Sequence, residues 1–178
     1  MPTDTLPGLS AAASARSAVE RISALKGIND VRNYILLVAS TKMAADHVVS
    51  FGCIGRAVLD RVWPAPVTVV LPARAGDAGW VGDTIALRVP DLAPLRDFIA
   101  DLGEPVVSTS VNRTGKPPLR NAGDIEDEFG DDVDMIIARP EATGMASTIV
   151  DGCGDEVVVL RRGDYDWEAA TGDSNPSK

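Results

Sequence analysis

The chain has 178 residues, of which 45% are hydrophobic and 24% are charged, and this balance excludes an intrinsically disordered protein. A chain of this length buries roughly 70% of its unfolded surface, so one globular domain can form without disulfides or a structural metal. The formal net charge of -9 opposes a broad surface for nucleic-acid phosphates, and any anionic ligand is therefore expected in a local basic pocket.

Targeting and redox features predict a cytoplasmic protein. No apolar run approaches the roughly 18 residues of a membrane span, and the N-terminus lacks the basic start and apolar stretch of a signal peptide. Cys53, Cys153 and the single histidine, His47, cannot supply a Cys/His zinc cluster. We interpret these three residues as structural, and we expect any metal to arrive with the substrate.

Apolar periodicity predicts helices that alternate with strands. The first helix covers residues 14–26, where Ala18, Val19, Ile22 and Leu25 share one face. Further helices are predicted over residues 53–62 and 91–102, the latter capped by Asp91 and ended by Gly103. Buried apolar runs predict strands at residues 35–39, 67–71, 85–89, 105–107, 135–138 and 157–160. The alternation predicts an α/β fold.

The rest of the chain adds little to this organisation. We expect a single domain over residues 1–170, followed by a polar, flexible tail at 171–178. The acidic segment 124–134 lacks the spaced oxygen ligands and fixed glycine of a calcium loop, and we interpret it as a solvated helix and turn.

Five short strings remain as candidates for chemistry. Hydroxyl groups follow a proline in residues 2–9, and Lys26 precedes Arg32 by six positions at the end of the first helix. The other strings are residues 63–68, interpreted as a packing element, 84–90 and 108–118. Alternate residues of an extended segment share one face, so Ser108, Ser110 and Asn112 would lie on the same side of a strand. Their three polar groups would then face one cleft.

In this order and at these separations, the five strings resemble the YrdC/Sua5/TsaC family of threonylcarbamoyl-AMP synthases. Residues 147–151 and 160–163 are similar to the closing motifs of that family, so the resemblance covers residues 2 to about 164. It implies a YrdC-like single domain, with helices packed on an open, twisted, mixed sheet and a concave ligand cleft.

The resemblance also implies a nucleotidyl transfer that serves the threonylcarbamoyladenosine modification of tRNA. L-threonine and bicarbonate form a carbamate, whose oxygen attacks the α-phosphate of ATP and expels pyrophosphate. No protein nucleophile is needed, and Mg²⁺ is expected to arrive with ATP. The implied partners are downstream tRNA threonylcarbamoyl-transfer proteins and no membrane. Direct binding of double-stranded RNA is left open, because the acidic charge opposes it.

The implied sites are carried over residue by residue. The threonine site falls on Thr5, Arg88, Ser108 and Thr148. The ATP site falls on Lys26, Arg32, Thr84, Ser110, Asn112 and Arg161. Among these, Lys26, Arg32 and Ser110 are the expected catalytic residues. Several have an alternative interpretation: Arg88 as an outward salt-bridging residue, Lys26 as a cation on a helix dipole, Arg161 as an exposed strand end, Ser110 with Asn112 as a turn and Thr148 as an ordinary strand-start residue.

Several positions depart from the family pattern. Ile28 stands where a second basic residue is usual, Pro7 where an aromatic residue is common, and Leu37 where histidine is frequent. The chain also begins at the first motif, without the helix and strand that usually precede it, so we expect an exposed sheet edge.

These departures keep two other hypotheses open. One is a catalytically weakened paralogue that binds a nucleotide or RNA. The other is a carbamoyl-adenylate former that uses carbamoyl phosphate, like the related domain of hydrogenase-maturation proteins.

Overall fold

Seven strands hydrogen-bond into one mixed, open sheet in the computed structural model, which describes residues 1–28, 34–76, 81–137 and 144–172. The strands are β1 Gly8–Ala12, β2 Ile35–Leu37, β3 Val67–Pro72, β4 Thr84–Arg88, β5 Val106–Ser110, β6 Thr148–Asp151 and β7 Val158–Arg161. The helices are α1 Arg16–Lys26, α2 Thr41–His47, α3 Arg56–Val62, α4 Ala93–Leu102, α5 Ala122–Phe129 and α6 Trp167–Thr171.

The spatial order of the strands is β1-β5-β2-β4-β3-β6-β7. The β2·β4 and β3·β6 pairs are parallel, and the other four pairs are antiparallel. The sheet is therefore mixed and unclosed, with β1 and β7 at its two ends, as the sequence predicted. No described helix combines the length and apolar character needed to cross a membrane.

The central strands carry the core. Val67, Val69 and Leu71 on β3 and Leu87 on β4 are fully shielded from solvent. Both strands read as short, mainly apolar runs bounded by Pro or Asp, which is why these two were predictable from the sequence. A smaller apolar cluster joins Leu37 of β2 to α4 and β5 through Leu95, Ile99 and Val106.

Most of the predicted elements are confirmed with shifted boundaries. The predicted helix 14–26 begins at Arg16 and ends where Gly27 adopts a left-handed conformation with φ of 66°. The strand 35–39 ends earlier, the helix 53–62 begins later, and the short strand 105–107 extends to Ser110. The acidic segment forms α5 and a 3-10 turn at Gly130–Asp132, so the helix-and-turn interpretation is confirmed.

Two local predictions were wrong. The strand predicted at 135–138 is irregular over 135–137, and Ala138 lies outside the described residues. This segment pairs with no strand in the described structure. Its apolar side chains border a groove beside α1 and α5, and Met135 is 74% exposed. Asp91 does not cap α4, whose N-cap is Leu92. Its carboxylate instead lies 3.6 Å from Arg96.

The 63–68 string packs as predicted. Trp63 is buried, and its indole N–H donates to the Val67 carbonyl at 3.0 Å, which fixes the turn into β3. The Trp63–Pro64 peptide is cis.

Candidate active site

A cavity of about 500 Å³ opens over one face of the sheet, and every strand except β1 contributes a residue to its lining. Thr84, Ala86 and Arg88 line it from β4, because alternate residues of a strand face the same side. The loop before β1 forms one wall through Thr3, Thr5 and Leu6. We call this space the sheet cavity.

Arg88 is the most deeply placed charge of the sheet cavity. It is 4% exposed; its Nη2 lies 3.3 Å from Oδ1 of Asp4, and its Nη1 donates to the Thr5 hydroxyl at 3.1 Å. Burial lowers the pKa of Arg88, the charge of Asp4 opposes that shift, and Arg161 adds to it. The buried Nε has no hydrogen-bond partner within the described chain. Arg88 therefore retains donor capacity for an anionic ligand.

A chain of hydroxyl groups fixes the wall that faces Arg88. The Thr3 hydroxyl donates to the Leu6 carbonyl at 2.7 Å, and the two threonine hydroxyls lie 3.1 Å apart. Because the Thr3 proton goes to Leu6, Thr5 donates to Thr3 and accepts from Arg88. The sequence did not single out Thr3 or Asp4, although both stand in the first string. Their partner Arg88 is distant in the chain, and only the fold brings them together.

The end of β5 supplies a second polar wall. Ser108 and Ser110 line the sheet cavity, whereas Asn112 does not. The Asn112 amide instead donates to the carbonyls of Arg113 and Lys116. β5 ends at Ser110, so strand alternation does not extend to Asn112, although the Asn112 Oδ1 still contacts the Ser110 hydroxyl.

Lys26 stabilises the polar wall at the end of β5 without lining the sheet cavity itself. It is 7% exposed, and its Nζ donates to the Ser110 carbonyl, the Asn112 carbonyl and Asn112 Oδ1 at 2.9, 3.0 and 2.9 Å. The Ser110 hydroxyl donates to the same Oδ1 at 2.6 Å. Burial lowers the pKa of Lys26. The structure therefore joins Lys26, Ser110 and Asn112 in one network, with only Ser110 on the cavity lining.

Arg161 and Ser147 form the wall at the β6 and β7 side. The Arg161 guanidinium donates through Nε and Nη2 to the Ser147 carbonyl at 3.1 and 2.8 Å. The Ser147 hydroxyl lies 2.9 Å from that of Thr68 and accepts from Arg161 Nη2 at 3.1 Å. Burial lowers the pKa of Arg161. Two guanidinium groups therefore reach the sheet cavity of an acidic protein, as a local basic pocket requires.

Thr148 faces away from the sheet cavity, contrary to the sequence expectation. Its hydroxyl donates to the Tyr165 carbonyl at 2.6 Å and accepts from the N–H groups of Gly163 and Tyr165. Ser147 and Ile149, its neighbours on either side, line the sheet cavity instead. The prediction missed Ser147 by one residue, and in a strand a single residue reverses the face.

The remaining predicted site residues and the three departures from the family pattern lie in different places. Thr84 lies on the sheet cavity. Arg32 lies outside the described residues. Leu37 is fully buried in the apolar cluster with α4, and neither it, Ile28 nor Pro7 lines the sheet cavity. None of these three departures from the family pattern therefore contributes a side chain to the described lining.

Comparisons with known proteins agree with this architecture. Residues 1–163 match the sequence model of the Sua5/YciO/YrdC family, which carries the description "Telomere recombination". The chain belongs to this family. A threonylcarbamoyl-AMP synthase of Nitrosococcus oceani is 34% identical over 146 residues, which cover 80% of this chain and 78% of the relative. One from Idiomarina loihiensis is 35% identical over 152 residues, 82% of this chain and 80% of the relative.

Solved structures of Sua5/YciO/YrdC proteins superpose closely on the chain. P. abyssi Sua5 complexed with L-threonine has a TM-score of 0.85 and 28% identity, and the match covers 96% of this chain and 52% of Sua5. E. coli YciO, at 24% identity and a TM-score of 0.78 over 93% of this chain and 82% of YciO, shares the fold. The chain thus spans about half of the length of Sua5.

Proposed function

We propose that this Sua5/YciO/YrdC protein is a threonylcarbamoyl-AMP synthase. It condenses L-threonine, bicarbonate and ATP and releases pyrophosphate. The observation that carries the proposal is the buried Arg88, with an unpartnered Nε and a threonine hydroxyl beside it, in a cavity of about 500 Å³ that also holds Arg161. Threonylcarbamoyl-AMP synthases among the relatives and the L-threonine complex of Sua5 support it independently.

Arg88 is suited to bind the threonine carboxylate. A planar guanidinium matches a carboxylate, and burial strengthens the charge-assisted hydrogen bond. The side-chain hydroxyl of the amino acid can then meet the hydroxyl groups of Thr5 and Ser108. Thr148 contributes through the backbone segment that it fixes, and the adjacent Ser147 takes the polar position on the lining.

Arg161, Thr84 and Ser110 are suited to the nucleotide. Arg161 supplies positive charge at the opposite wall, and the two hydroxyl groups supply neutral hydrogen bonds. Lys26 and Asn112 act on this site by holding the Ser110 backbone. Arg32 stays a predicted phosphate ligand.

The reaction requires positioning and charge neutralisation, and no protein nucleophile. A carbamate oxygen attacks the α-phosphorus, the bond to the bridging oxygen breaks, and pyrophosphate leaves with the electron pair. Guanidinium groups stabilise the charge on the transferred phosphoryl group. Mg²⁺ would accompany ATP, because the negatively charged triphosphate oxygens bind this ion.

The product is an activated acyl group, so a downstream tRNA-modifying protein must consume it. We infer that tRNA threonylcarbamoyl-transfer proteins are the partners and that the cytoplasm is the site of action.

Pyrophosphate release from ATP tests the proposal. Release should require threonine and bicarbonate together, and omission of either should abolish it. Nucleotide binding without turnover would favour the weakened paralogue, and release driven by carbamoyl phosphate would favour the carbamoyl-adenylate former.

Variants test the proposed residues. Arg88→Lys retains the charge opposite Asp4 but loses the planar fork, so kcat/KM for threonine should fall roughly 10- to 100-fold. Ser110→Ala should also lower turnover. The matched control is Arg56→Lys on α3, whose exposed pair with Asp60 lies off the sheet cavity. An Arg88→Lys rate equal to the control, with unchanged far-UV circular dichroism, would refute the role of Arg88.

A further inference from the structure

The two cysteines of the chain lie on neighbouring segments, and neither of them lines the sheet cavity. Cys53 precedes α3, Cys153 lies in the turn between β6 and β7, and both are reduced and exposed to solvent. The Cys53 N–H donates to the Gly152 carbonyl at 3.1 Å. Standard bond lengths then keep the two cysteine Cα atoms within about 7 Å of each other. Disulfides usually join Cα atoms about 4.4 to 6.8 Å apart.

A glycine before each cysteine permits this approach. Gly52 has a φ of 58°, and a Cβ at that position would lie 1.8 Å from the Gly152 carbonyl oxygen. A Cβ on Gly152 would lie 2.8 Å from Ile54 Cδ1. Larger residues would therefore separate the two segments and their thiols.

The turn that carries Cys153 is held in place by its own hydrogen bonds. The Gly152 N–H donates to the Val70 carbonyl at 3.0 Å, and the Cys153 N–H donates to Asp151 Oδ1 at 2.8 Å. The Cys53 thiol is also close enough to contribute to raising the pKa of Cys153. These hydrogen bonds hold the segments that carry the two cysteines side by side.

We propose that Cys53 and Cys153 are a disulfide-forming pair that responds to low-molecular-weight disulfides such as oxidised glutathione. This site is separate from the proposed synthase activity and does not depend on it. The sequence analysis, which treated both cysteines as structural, could not detect the pair, because about a hundred residues separate them in the chain.

The chemistry balances through two exchanges. The thiolate of one cysteine attacks a sulfur of oxidised glutathione, forming a mixed disulfide and releasing one glutathione thiolate. The thiolate of the other cysteine then attacks the protein sulfur of that mixed disulfide and releases the second glutathione thiolate. Two protein thiols are oxidised to one disulfide, one glutathione disulfide is reduced to two thiols, and the two protons lost by the protein thiols are taken up by the two glutathione thiolates.

The environment of Cys153 affects how the bond is reduced. Desolvation, followed by the hydrogen bond and the charge of Asp151, raises the pKa of Cys153 to about 11. A thiol with a raised pKa is a poor leaving group, so we expect a reductant to attack the Cys153 sulfur and to release Cys53 as the leaving thiolate.

The experiment treats the reduced full chain with oxidised glutathione and follows its intact mass, with peptide mapping of the linkage. We expect a monomer lighter by two hydrogen atoms, with the Cys53 and Cys153 peptides joined. Because the bond closes a long loop, the Tm should rise by roughly 4–16 °C, and a thiol reductant should reverse the change.

Cys53→Ser and Cys153→Ser are the matched controls. Each should end as a chain with one glutathione attached and should show no comparable rise in Tm. A wild-type chain that keeps two glutathione adducts, or that forms only disulfide-linked dimers, would overturn the proposal. An unreacted wild-type chain, under conditions that modify both single variants, would also overturn it.

Discussion

Arg88 depends on a carboxylate that belongs to a different part of the chain. Asp4 and Arg88 are each about 5% exposed as side chains, and Asp4 Oδ2 also accepts the Asp91 N–H at 3.0 Å. A buried guanidinium is tolerated only when an opposite charge and hydrogen bonds compensate for the loss of water. Asp4 therefore keeps Arg88 charged and oriented before any substrate enters.

Removal of the Asp4 charge should destabilise the fold. Asp4→Asn preserves the shape of the side chain but leaves Arg88 as a buried charge without its counterion, so the free energy of unfolding should fall by about 3 kcal/mol. Urea denaturation measures the change.

The control removes a carboxylate from an exposed ion pair. Asp60→Asn breaks the pair with Arg56 on α3, in which the two side chains are 53% and 47% exposed. Water screens such a pair, so the free energy of unfolding should change by less than about 1 kcal/mol. Equal effects of Asp4→Asn and Asp60→Asn would contradict the importance of the buried pair.

The site residues were predictable to different degrees. Ser108 and Ser110 alternate on one predicted strand, so their shared face could be inferred, whereas the site role of Arg88 came from the family resemblance and its face stayed open. Ser147 and Thr148 stand at the start of β6, where the sequence does not mark the first strand residue and hence not the face. Asp4 gave no signal, because a carboxylate in a loop is ordinarily a solvated turn residue.

At the scale of elements, successive residues at the start of β6 face opposite sides of the sheet and have different roles. Ser147 and Ile149 face the sheet cavity, whereas Thr148 faces the segment that leads from β7 to α6. A single hydroxyl there accepts two backbone N–H groups and donates to one carbonyl. Thr148 thus organises the return of the chain after β7.

Substitution of Thr148 should therefore alter stability more than substrate binding. Thr148→Val keeps the shape but leaves the polar backbone groups of Gly163 and Tyr165 unsatisfied, and the free energy of unfolding should fall by roughly 1–3 kcal/mol. Thermal denaturation measures this loss. The KM for threonine, assayed at a temperature where the variant is folded, should stay within about twofold of the wild type.

A matched change on the other face gives the contrast. Ser147→Ala removes the hydroxyl that accepts from Arg161 and should raise the KM for a substrate of the sheet cavity. A large rise in the threonine KM for Thr148→Val, with no change for Ser147→Ala, would show that the face assignment of β6 is wrong.

Among the elements that sequence analysis missed, β1 and α2 share a weak apolar signal. β1 consists of small residues that pair with β5, and α2 is a seven-residue helix with few apolar positions. β1 is stabilised by a tertiary partner through its long ladder to β5, whereas α2 is stabilised locally by its N-cap Ser40, whose side chain accepts from Met43 N–H. Local periodicity detects elements that bury a broad face, and these do not.

At the scale of the whole molecule, an acidic surface surrounds a basic cavity. The net charge of -9 repels polyanions at long range, whereas Arg88 and Arg161 attract small anions within the sheet cavity. This distribution favours a nucleotide or an amino acid over an extended duplex.

Binding of double-stranded RNA should accordingly be weak. At about 150 mM salt, fluorescence anisotropy with a labelled duplex should give no affinity tighter than about 10⁻⁵ M, which lies within the range of non-specific binding. A basic double-stranded-RNA-binding domain serves as the positive control. A tight interaction that resists an increase in salt would contradict this expectation and would favour an RNA-binding role.

The hydroxyl relay from Arg88 through Thr5 and Thr3 to Leu6 has a consequence for protein engineering. The Arg88 side chain on β4 helps to hold the loop that forms one wall of the sheet cavity. The hydrogen bond to that loop in turn orients the Arg88 guanidinium. Retuning amino-acid preference by changing the loop alone would disturb the guanidinium as well. A library that aims at a new substrate would have to vary both segments together.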